Sequence, residues 1–553
     1  MKERKPSYRP PIVSFAFAVC FGAAGAGALD LGRWFRSETI EWIRLALFVL
    51  AIKFLVRSFH DLAKLSHERH RSRTMKDLTR RHGSARLADA DDIESAGLFA
   101  KEGIFLGSFG EGRKTRDIRY DQDCSVNIVS PPGGSKSLAI AVNTLITDLG
   151  HSRIVNDVSG ELYCLTHEHL RKHQNVHVIT PWPEELSKRL GTKIEDSGWN
   201  LFYDFEPDQP SHTVRSYIQS KVQIVLPREQ REKTDKNSLF FELRGRDLIE
   251  FLCFYLIWKE CSPTLPAMRS LLMEGYQSLQ SRLNEATSSD AFGGTLQEAA
   301  NSLYSTMVSA SDQFGGYLGV AENALSIYDV GSNFNAHCGK SFDPRTLKDD
   351  DRRTTVFVIY PVERARTHQP ALNATFSTLI EAVIADSRPK RVTAILDEVA
   401  ACGRLDLTSW LNTGRKSGLR ILALWQDLLG GQAEAVYGKS EMKQIIAAAE
   451  ITAAFNVTSQ ETLELLSKMT GTVALESASL TDRSRWNDPL SETTLSRSHQ
   501  NRPLMHPDEI RRMASDEMLI FKGNSPVIKA KKVPFYERPA FKRLCGDNPY
   551  FAG

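Results

Sequence analysis

Short apolar runs alternate with longer segments of helical periodicity through most of the chain beyond residue 103. Short runs bounded by turn residues are typical of buried strands, and apolar spacing of three and four residues is typical of the helices that pack against them. This alternation indicates an α/β domain built on a parallel sheet. The predicted strands lie in GIFLGSF, DIRYDQD, CSVNIVS, SRIVNDV, VHVITPW, TTVFVIYP, RVTAILDEVA, ILALWQDL and EITAAFNV, and a closing hairpin is predicted in MLIFKGNSPVIKAKKVPFY.

The alternation stops in the middle of the chain. From residue 206 to residue 336 strand signals are scarce, and stretches such as FFELRGRDLIEFLCFYLIWKE have helical spacing instead. We therefore predict an all-α insertion at 206–336 that divides one α/β domain into a first part, 103–205, and a second part, 337–553, with the hairpin and a tail at its end.

Two apolar runs stand near the N-terminus. Ile12–Leu29 holds eighteen residues without a charge, enough to cross a hydrocarbon layer of about 30 Å. Trp42–Val56 is interrupted by Arg44 and Lys53, whose long stems can carry their charges to the headgroups. A cleaved signal peptide would explain the first run alone. The second run favours a two-helix transmembrane hairpin within residues 1–60.

Basic residues are unevenly placed around this predicted hairpin. They cluster before the first run and after the second, whereas the loop between the runs holds only Arg33 and Arg36. The positive-inside rule then places both termini and the main domains in the cytoplasm. Residues 61–102 are predicted to form a polar juxtamembrane stalk. Three histidines at its start, His60, His67 and His70, fit a solvated basic face better than a metal site.

Composition excludes several classes of protein. Hydrophobic residues make up 41% and charged residues 25% of the 553 positions, which is ordinary for a globular protein. The net charge is only +3, so a large uniform surface for nucleic acid is not implied, although a local basic patch is compatible with it. The eight cysteines are scattered without a C-x-x-C pair, which argues against a disulfide framework or a zinc site.

The first candidate for chemistry is the loop SPPGGSKS, residues 130–137, between a predicted strand and a predicted helix. This is the context of a phosphate-binding P-loop, in which a Lys reaches the phosphates and a Ser or Thr hydroxyl reaches Mg²⁺. Lys136 and Ser137 supply those groups. The glycines are displaced to Gly133 and Gly134, and Ser135 must adopt the loop backbone without the freedom of glycine. On the loop alone, a plain Gly-Ser turn explains the pattern equally well.

The second candidate is the carboxylate pair Asp397–Glu398, which ends the apolar run Ala394–Leu396. At the carboxyl edge of a parallel sheet, Asp397 could hold Mg²⁺ through water and Glu398 could polarise an attacking water. The alternative is that the pair merely caps the following helix. Two such elements, each at a strand end, make coincidence a poor explanation.

Two further residues follow the carboxylate strand. Gln426 ends the strand in ILALWQDL, where it could sense a γ-phosphate or orient water. Arg415 lies in a predicted exposed turn, as a residue reaching into a neighbouring subunit would. Taken alone, each is equally well explained as a buried polar strand end or a surface arginine.

At these residues the chain resembles the type IV secretion coupling proteins, the membrane-anchored hexameric ATPases of bacterial conjugation and effector export. The resemblance covers nearly the whole chain, including the two apolar runs and the helical insertion in a RecA-like domain. Its motifs are HGSARLADADDIESAGL, NDVSGELYCLT, LDEVAACGRLDLTSWLNTGRKSGLRILALWQDLLGGQAEAVYG and RPLMHPDEIRRMASDEMLIFKGNSPVIKAKKVPFY.

The resemblance implies ATP and Mg²⁺ as cofactors, with metal on Ser137 and Asp397, Glu398 as the catalytic carboxylate, Gln426 as a sensor and Arg415 as a finger acting on the next subunit. The resemblance also places Asp157, Gly160 and Glu161 at a second strand end that faces the same crevice. Ser135 in place of the usual glycine, and the missing lysine in NDVS, put the hydrolysis rate in question. The implied nucleotide-binding residues are Pro132, Gly133, Gly134, Ser135, Lys136, Ser137 and Leu138.

The resemblance also implies a function and partners. A homo-hexamer at the bacterial inner membrane would receive relaxase-bound single-stranded DNA or a protein effector and pass it to the secretion channel. Two alternatives stay open. One is a membrane adaptor that binds nucleotide without hydrolysing it. The other is a DNA translocase of the chromosome-segregation type. Such proteins usually have an anchor of more than two spans and a separate DNA-reading module, and neither is visible in this sequence.

Overall fold

The structure is a computed structural model in which most of the chain is described. The described residues are 85–206, 209–226, 236–481 and 494–550, with scattered positions between 42 and 56. They form two compact units, the larger of which comprises Arg86–Thr470 and Met505–Gly553.

Strands occur where the apolar runs predict them, and one further pair, β10 and β11, was not predicted. Within the described residues the strands are β1 (Ile104–Phe109), β2 (Arg116–Tyr120), β3 (Val126–Val129), β4 (Ser152–Asn156), β5 (Asn175–Ile179), β6 (Thr354–Val358), β7 (Val392–Leu396), β8 (Leu419–Trp425), β9 (Ile451–Ala454), β10 (Thr472–Thr481), β11 (Thr494–Pro503), β12 (Glu517–Lys522) and β13 (Ile528–Lys531).

One eleven-stranded sheet organises the larger unit, in the order β2-β1-β13-β12-β9-β3-β8-β7-β4-β6-β5. The strands from β9 to β5 in this order pair in parallel. The predicted closing hairpin, β12 and β13, pairs antiparallel and joins β9 to β1. The parallel strands come from both sides of the central helical segment, so the α/β sheet is interrupted in sequence but continuous in space.

The two faces of the sheet bury separate apolar cores, because successive side chains of a strand point to opposite faces. Along β8, Ile421 and Ala423 belong to the core that also contains the central helices, whereas Leu422 and Leu424 belong to the core on the other face. Every residue of β8 is buried. A strand covered on both faces reads as a continuous apolar run, which is why LRILALW shows no alternation.

Helices cover both faces of the sheet. Those outside the central segment are Ala90–Ser95, Ser137–Ala141 (a π turn) continuing as Val142–Thr147, Glu161–His173, Pro183–Leu190, Val362–Thr367, Gln369–Ala385, Leu407–Thr413, Gln432–Ala448, Gln460–Met469, Pro507–Arg511 and Pro539–Lys542. Short 3₁₀ turns lie at Gly112–Lys114, Ala291–Gly294, Ser326–Tyr328, Pro344–Lys348, Val399–Cys402, Gly414–Ser417 and Phe535–Glu537.

The described residues of the central segment form helices joined by short turns, without a strand. Helices Lys236–Trp258 and Ser311–Leu325 come close together at Gly245, where a Cβ would lie 2.5 Å from Cγ1 of Val320. Thr264 begins another helix by accepting a hydrogen bond from the Ala267 amide, as N-cap residues do. The helices are Ser211–Val225, Lys236–Trp258, Leu265–Met273, Tyr276–Ala286, Thr295–Ser309, Ser311–Leu325 and Asn333–Cys338.

The last part of the predicted stalk differs from expectation. Ile93 and Leu98 are fully buried in the core on one face of the sheet, and Leu87 bridges to Val527. Residues 86–102 therefore pack as part of the α/β unit, because two apolar side chains in an otherwise polar stretch find a place there. The rest of the predicted stalk, residues 61–84, lies outside the described residues.

The predicted membrane hairpin is mostly outside the described residues as well. All of Ile12–Leu29 is outside them, and Trp42–Val56 is described only at scattered helical positions. Across the parts of the chain that the structure describes, no helix combines the length and apolar character needed to cross a membrane.

The smaller unit contains the antiparallel pair of β10 and β11, in register from Thr472 opposite Pro503 to Thr481 opposite Thr494. Its sequence is rich in Ser and Thr and lacks a continuous apolar run, which explains why the apolar pattern did not predict it.

Candidate active site

All the candidate residues except Arg415 sit at one edge of the sheet. Strands β3, β8, β7 and β4 are adjacent and parallel, so their carboxyl ends meet, and in open α/β sheets ligands bind at that edge. Val129 pairs with Trp425, and Leu396 pairs with Asn156. The loop after β3, the carboxylates after β7 and the polar residues after β8 and β4 are thereby brought to the same crevice.

The loop after β3 has two residues with positive φ, and one of them is not a glycine. Gly133 has φ +76° and Ser135 has φ +62°. The expectation that Ser135 adopts a glycine-like conformation is thus confirmed, at a cost of about 1 kcal/mol. Gly134 is required for a different reason, because a Cβ there would lie 1.9 Å from Oγ of Ser130. Pro132 and Gly133 are exposed at the apex of the loop.

Lys136 lies where the loop enters its helix. The helix begins at Ser137 with a π turn and continues to Thr147, and the free N–H groups of such a helix start favour an anion. Lys136 is only 5% exposed, and its Nζ lies 3.8 Å from Oε1 of Glu398. A buried ammonium and a carboxylate from distant parts of the chain therefore face each other across the crevice. Leu138, next in the helix, is half-buried.

Ser137 and Asp397 are directly bonded. The hydroxyl of Ser137 lies 2.9 Å from Oδ1 and 2.8 Å from Oδ2 of Asp397 and donates to this carboxylate. Burial raises the pKa of Asp397 to about 7; Lys136 and the Ser137 hydroxyl oppose this rise, and the Glu398 carboxylate adds to it. The positive charge near Asp397 is therefore too small to offset the cost of burying its carboxylate.

This pair fits Mg²⁺. The ion prefers oxygen ligands, and usually one or two protein groups hold it while water and phosphate oxygens supply the rest. A hydroxyl and a carboxylate already within hydrogen-bonding distance offer such a set. The raised pKa of Asp397 also favours a cation at this position, because a cation would offset the negative charge that burial makes costly.

The backbone at Glu398 directs its side chain into the crevice. Glu398 has φ +50° and ψ +51°, and it makes no side-chain capping bond to the 3₁₀ turn Val399–Cys402. The simple capping explanation of the carboxylate pair is therefore not what the structure shows. Asn156 supports this turn from β4: its Nδ2 donates to the Asp397 carbonyl at 2.5 Å and to Sγ of Cys402 at 3.1 Å.

Gln426 and Arg415 lie at opposite ends of β8. Gln426 directly follows the strand and is half-buried at the crevice edge. Arg415 precedes the strand in an exposed turn. A seven-residue strand is about 20 Å long. Burial raises the pKa of the nearby Cys124 thiol, and the charge of Arg415 opposes that rise. Arg415 is thus remote from the crevice of its own chain.

The residues after β4, Asp157, Gly160 and Glu161, have a structural role that the sequence pattern did not reveal. Asp157 accepts the amides of Gly160 at 2.9 Å and Tyr163 at 2.8 Å, and so caps helix Glu161–His173. Burial raises the pKa of Asp157 to about 6, against those backbone bonds. Glu161 accepts a bond from Asn548 at 2.6 Å. Burial raises its pKa, and the charge of Glu398 adds to the rise.

Sequence reasoning missed two contributors. Asn156 was noted only as part of a departure from the family pattern, although a polar residue ending β4 beside the carboxylate strand was a usable signal. Lys532, from the segment after β13, donates to the Gly134 carbonyl at 3.1 Å. No local pattern connects it with the loop, because it is one of several lysines in KAKK.

Comparison with known proteins agrees with this arrangement. A model of the family described as type IV secretory system conjugative DNA transfer matches residues 86–550. A conjugal transfer protein TraG of Escherichia coli is 23% identical over 571 residues, covering 92% of this chain and 85% of its own. A TraG of Agrobacterium fabrum is 23% identical over 476 residues, covering 83% of this chain and 66% of its own.

Solved structures of a bacterial conjugative coupling protein share the fold. TrwBdeltaN70 in its unbound form superposes with a TM-score of 0.58 at 18% identity, covering 83% of this chain and 95% of that one. TrwB in complex with ADP and Mg²⁺ gives a TM-score of 0.57 at 16% identity, covering 81% and 94%. Because the family match spans most of the sequence, the protein belongs to the type IV secretory system family of conjugative DNA transfer.

Proposed function

We propose that this protein is an ATPase of conjugative DNA transfer, which couples ATP hydrolysis to the delivery of a substrate to a type IV secretion channel. One observation carries the proposal: Lys136 and Ser137, after β3, meet Glu398 and Asp397, after β7, within 3.8 Å and 2.9 Å respectively. These are the groups that binding a triphosphate, placing a metal and activating water require.

The residues divide the work by their chemistry. Lys136, the amide of Gly133 and the amides of residues 135–137 would bind the phosphates. Ser137 and Asp397 would hold Mg²⁺, which when bound neutralises phosphate charge. Glu398 would accept a proton from the attacking water. In support, TrwB has been solved with ADP and Mg²⁺ and with a non-hydrolysable ATP analogue.

The ion pair between Lys136 and Glu398 suggests how nucleotide binding could prepare the site. The Lys136 ammonium faces Glu398, with Nζ 3.8 Å from Oε1. A γ-phosphate would attract that ammonium more strongly than one carboxylate does, because it carries more charge. Glu398 would then be free to bind water, so the catalytic group becomes available only when a triphosphate is present.

Arg415 fits the proposal as a residue supplied to a neighbouring subunit. Arg415 is exposed and lies at the amino edge of the sheet. The length of β8, about 20 Å, separates it from the crevice edge. In a homo-hexameric ring, that edge of one subunit could face the crevice of the next, with Gln426 sensing the γ-phosphate within the subunit.

The remaining parts of the proposal concern substrate and location. The all-α insertion predicted at 206–336 would select the cargo, either relaxase-bound single-stranded DNA or a protein effector, and the ring would engage the secretion channel. The N-terminal apolar runs would anchor the protein in the inner membrane by two spans, with the main domains in the cytoplasm.

The test compares hydrolysis with transfer. Full-length protein is expected to hydrolyse ATP, and single-stranded DNA or cargo is expected to stimulate it. Lys136→Ala is expected to abolish both turnover and plasmid transfer from donor cells, whereas Lys172→Ala, at an exposed helix position, should change neither. Normal transfer by both Lys136→Ala and Glu398→Gln would instead establish a non-hydrolysing adaptor.

A further inference from the structure

The peptide between Gly134 and Ser135 is held from one side by a buried lysine. Nζ of Lys532 donates to the Gly134 carbonyl at 3.1 Å, and Lys532 is only 9% exposed. In a trans peptide the C=O and the following N–H point in opposite directions. With the Gly134 carbonyl turned toward Lys532, the Ser135 amide must therefore point away from Lys532.

Lys532 is itself firmly placed. Its amide donates to the Asp516 carbonyl at 2.7 Å, and the next carbonyl, of Val533, accepts from Nδ2 of Asn143 on the loop's own helix at 2.7 Å. The ammonium also lies 5.2 Å from the ring centre of Phe455, within the range of a cation–π contact. The C-terminal segment thus fixes the ammonium against both the loop and its helix.

The backbone conformation of Ser135 explains why this contact matters. Its φ of +62° disfavours a residue with a Cβ. Rotating the Gly134–Ser135 peptide by half a turn changes ψ of Gly134 and φ of Ser135 together. That rotation would return Ser135 to a negative φ at little cost to the glycine. It would also point a carbonyl oxygen where the Ser135 amide had been, which would repel a phosphate.

We propose that Lys532 is a positioning residue that holds the Gly134–Ser135 peptide in the phosphate-binding orientation, and so compensates for serine in place of glycine at position 135. The assignment rests on the proposed nucleotide site. It explains how a loop with a strained serine keeps its shape, and it makes the segment after β13 part of the loop's support.

The experiment is a double-mutant cycle on ATP affinity in the full-length protein, with Mg²⁺ present. Lys532→Met keeps the apolar stem but removes the ammonium, and it is expected to weaken ATP binding by about 10- to 100-fold, the usual range for a lost charged hydrogen bond. In a Ser135→Gly background the same change should cost less than about threefold, because glycine has little preference for the rotated peptide. Lys532→Arg should retain most of the affinity.

The matched control is Lys531→Met, since Lys531 is the preceding residue and its side chain is 55% exposed beside Asp516; its affinity should equal that of the unaltered protein. A merely structural lysine would weaken binding equally in both backgrounds, which would overturn the assignment, as would unchanged binding by Lys532→Met. If Lys532→Met does not fold, Lys532→Leu carries the same comparison. Unaltered protein that binds no ATP would contradict the proposed function itself.

Discussion

Ser137 donates a hydrogen bond to Asp397 at 2.8 Å, although 260 residues separate them in the sequence. The contact exists because β3 and β7 flank β8 in the parallel part of one sheet, so that their carboxyl ends lie within reach of each other. A phosphate-binding loop and a carboxylate strand are each ambiguous alone. Their convergence gives the site its chemical meaning.

The first prediction concerns Mg²⁺ and pH. The pKa of Asp397 is raised to about 7, chiefly by burial, so under the proposed function a proton and Mg²⁺ should compete for this carboxylate near neutrality. As the pH falls below 7, the Mg²⁺ concentration for half-maximal hydrolysis should rise about tenfold per pH unit. Titrating activity with Mg²⁺ at pH 6, 7 and 8 measures this. A half-maximal concentration that does not change would contradict the assignment of Asp397.

The second prediction concerns stability without nucleotide or metal. Because the pKa of Asp397 is higher in the folded chain than its ordinary 3.8, its stabilising contribution is complete below pH 3.8 and is lost as the pH rises through 7. Asp397→Asn should therefore gain stability relative to the unaltered protein between pH 5 and pH 8, by roughly 1–3 kcal/mol. Urea denaturation at both values measures the difference.

The control for that comparison is Asp91→Asn, at an exposed position, for which the difference from the unaltered protein should not change with pH. A constant difference for Asp397→Asn as well would show that the buried carboxylate does not titrate in this range.

The third prediction concerns the opposite edge of the sheet, where Asp148 lies among two buried arginines. Its carboxylate accepts bonds from the Gly103 amide at 3.2 Å and from His151 at 2.7 Å, and it lies 3.6 Å from Arg420. Burial alone would raise its pKa, but His151, Arg153 and Arg420 lower it to about 2.

Asp148→Ala should destabilise the protein by about 3–5 kcal/mol, because it leaves the buried guanidinium groups of Arg153 and Arg420 without this partner. Denaturant unfolding followed by circular dichroism measures the loss. Asp350→Ala breaks an exposed ion pair with Lys390 and should have little effect. A similar small loss for both variants would mean that Asp148 does not neutralise the arginines.

The fourth prediction tests whether Arg415 acts on a neighbouring subunit. Arg415→Ala and Glu398→Gln should each reduce ATP turnover by about 100-fold or more. Mixed before assembly, however, the two inactive variants should recover part of the activity, because an intact crevice in one subunit can receive an intact Arg415 from the other. The control is a mixture of Arg415→Ala with Lys416→Ala, which alters an exposed neighbouring residue. Its activity shows how much turnover a mixture gives when one of its two subunits retains Arg415. If the first mixture shows no recovery, Arg415 does not act between subunits.

The sequence predicted much of the fold because its buried strands are short continuous apolar runs. Val126–Val129 and Val392–Leu396 could each be located without a structure, and the carboxyl ends of parallel strands had to share an edge. The pair β10 and β11 escaped prediction because its Ser- and Thr-rich strands lack that apolar signal.

The site was predictable only where its residues follow strands. Lys136, Asp397 and Gln426 could be placed because a strand precedes each loop. Lys532 could not, because its role depends on a backbone carbonyl 398 residues away. The capping role of Asp157 was also hidden, since a carboxylate at a strand end can bind a ligand or its own helix, and only the observed amide bonds distinguish the two.

The most direct test of the account is equilibrium binding of ATP, with its hydrolysis followed in the same samples. Glu398→Gln should bind ATP at least as tightly as the unaltered protein, because the Lys136 ammonium loses a competing carboxylate, and should retain the ATP unhydrolysed. Adding Lys136→Ala to that variant should weaken binding by at least about 100-fold, because the phosphates lose the ammonium. Hydrolysis at the normal rate by Glu398→Gln, or equal binding by the double variant, would show that position 136 and the carboxylate pair do not act on one nucleotide.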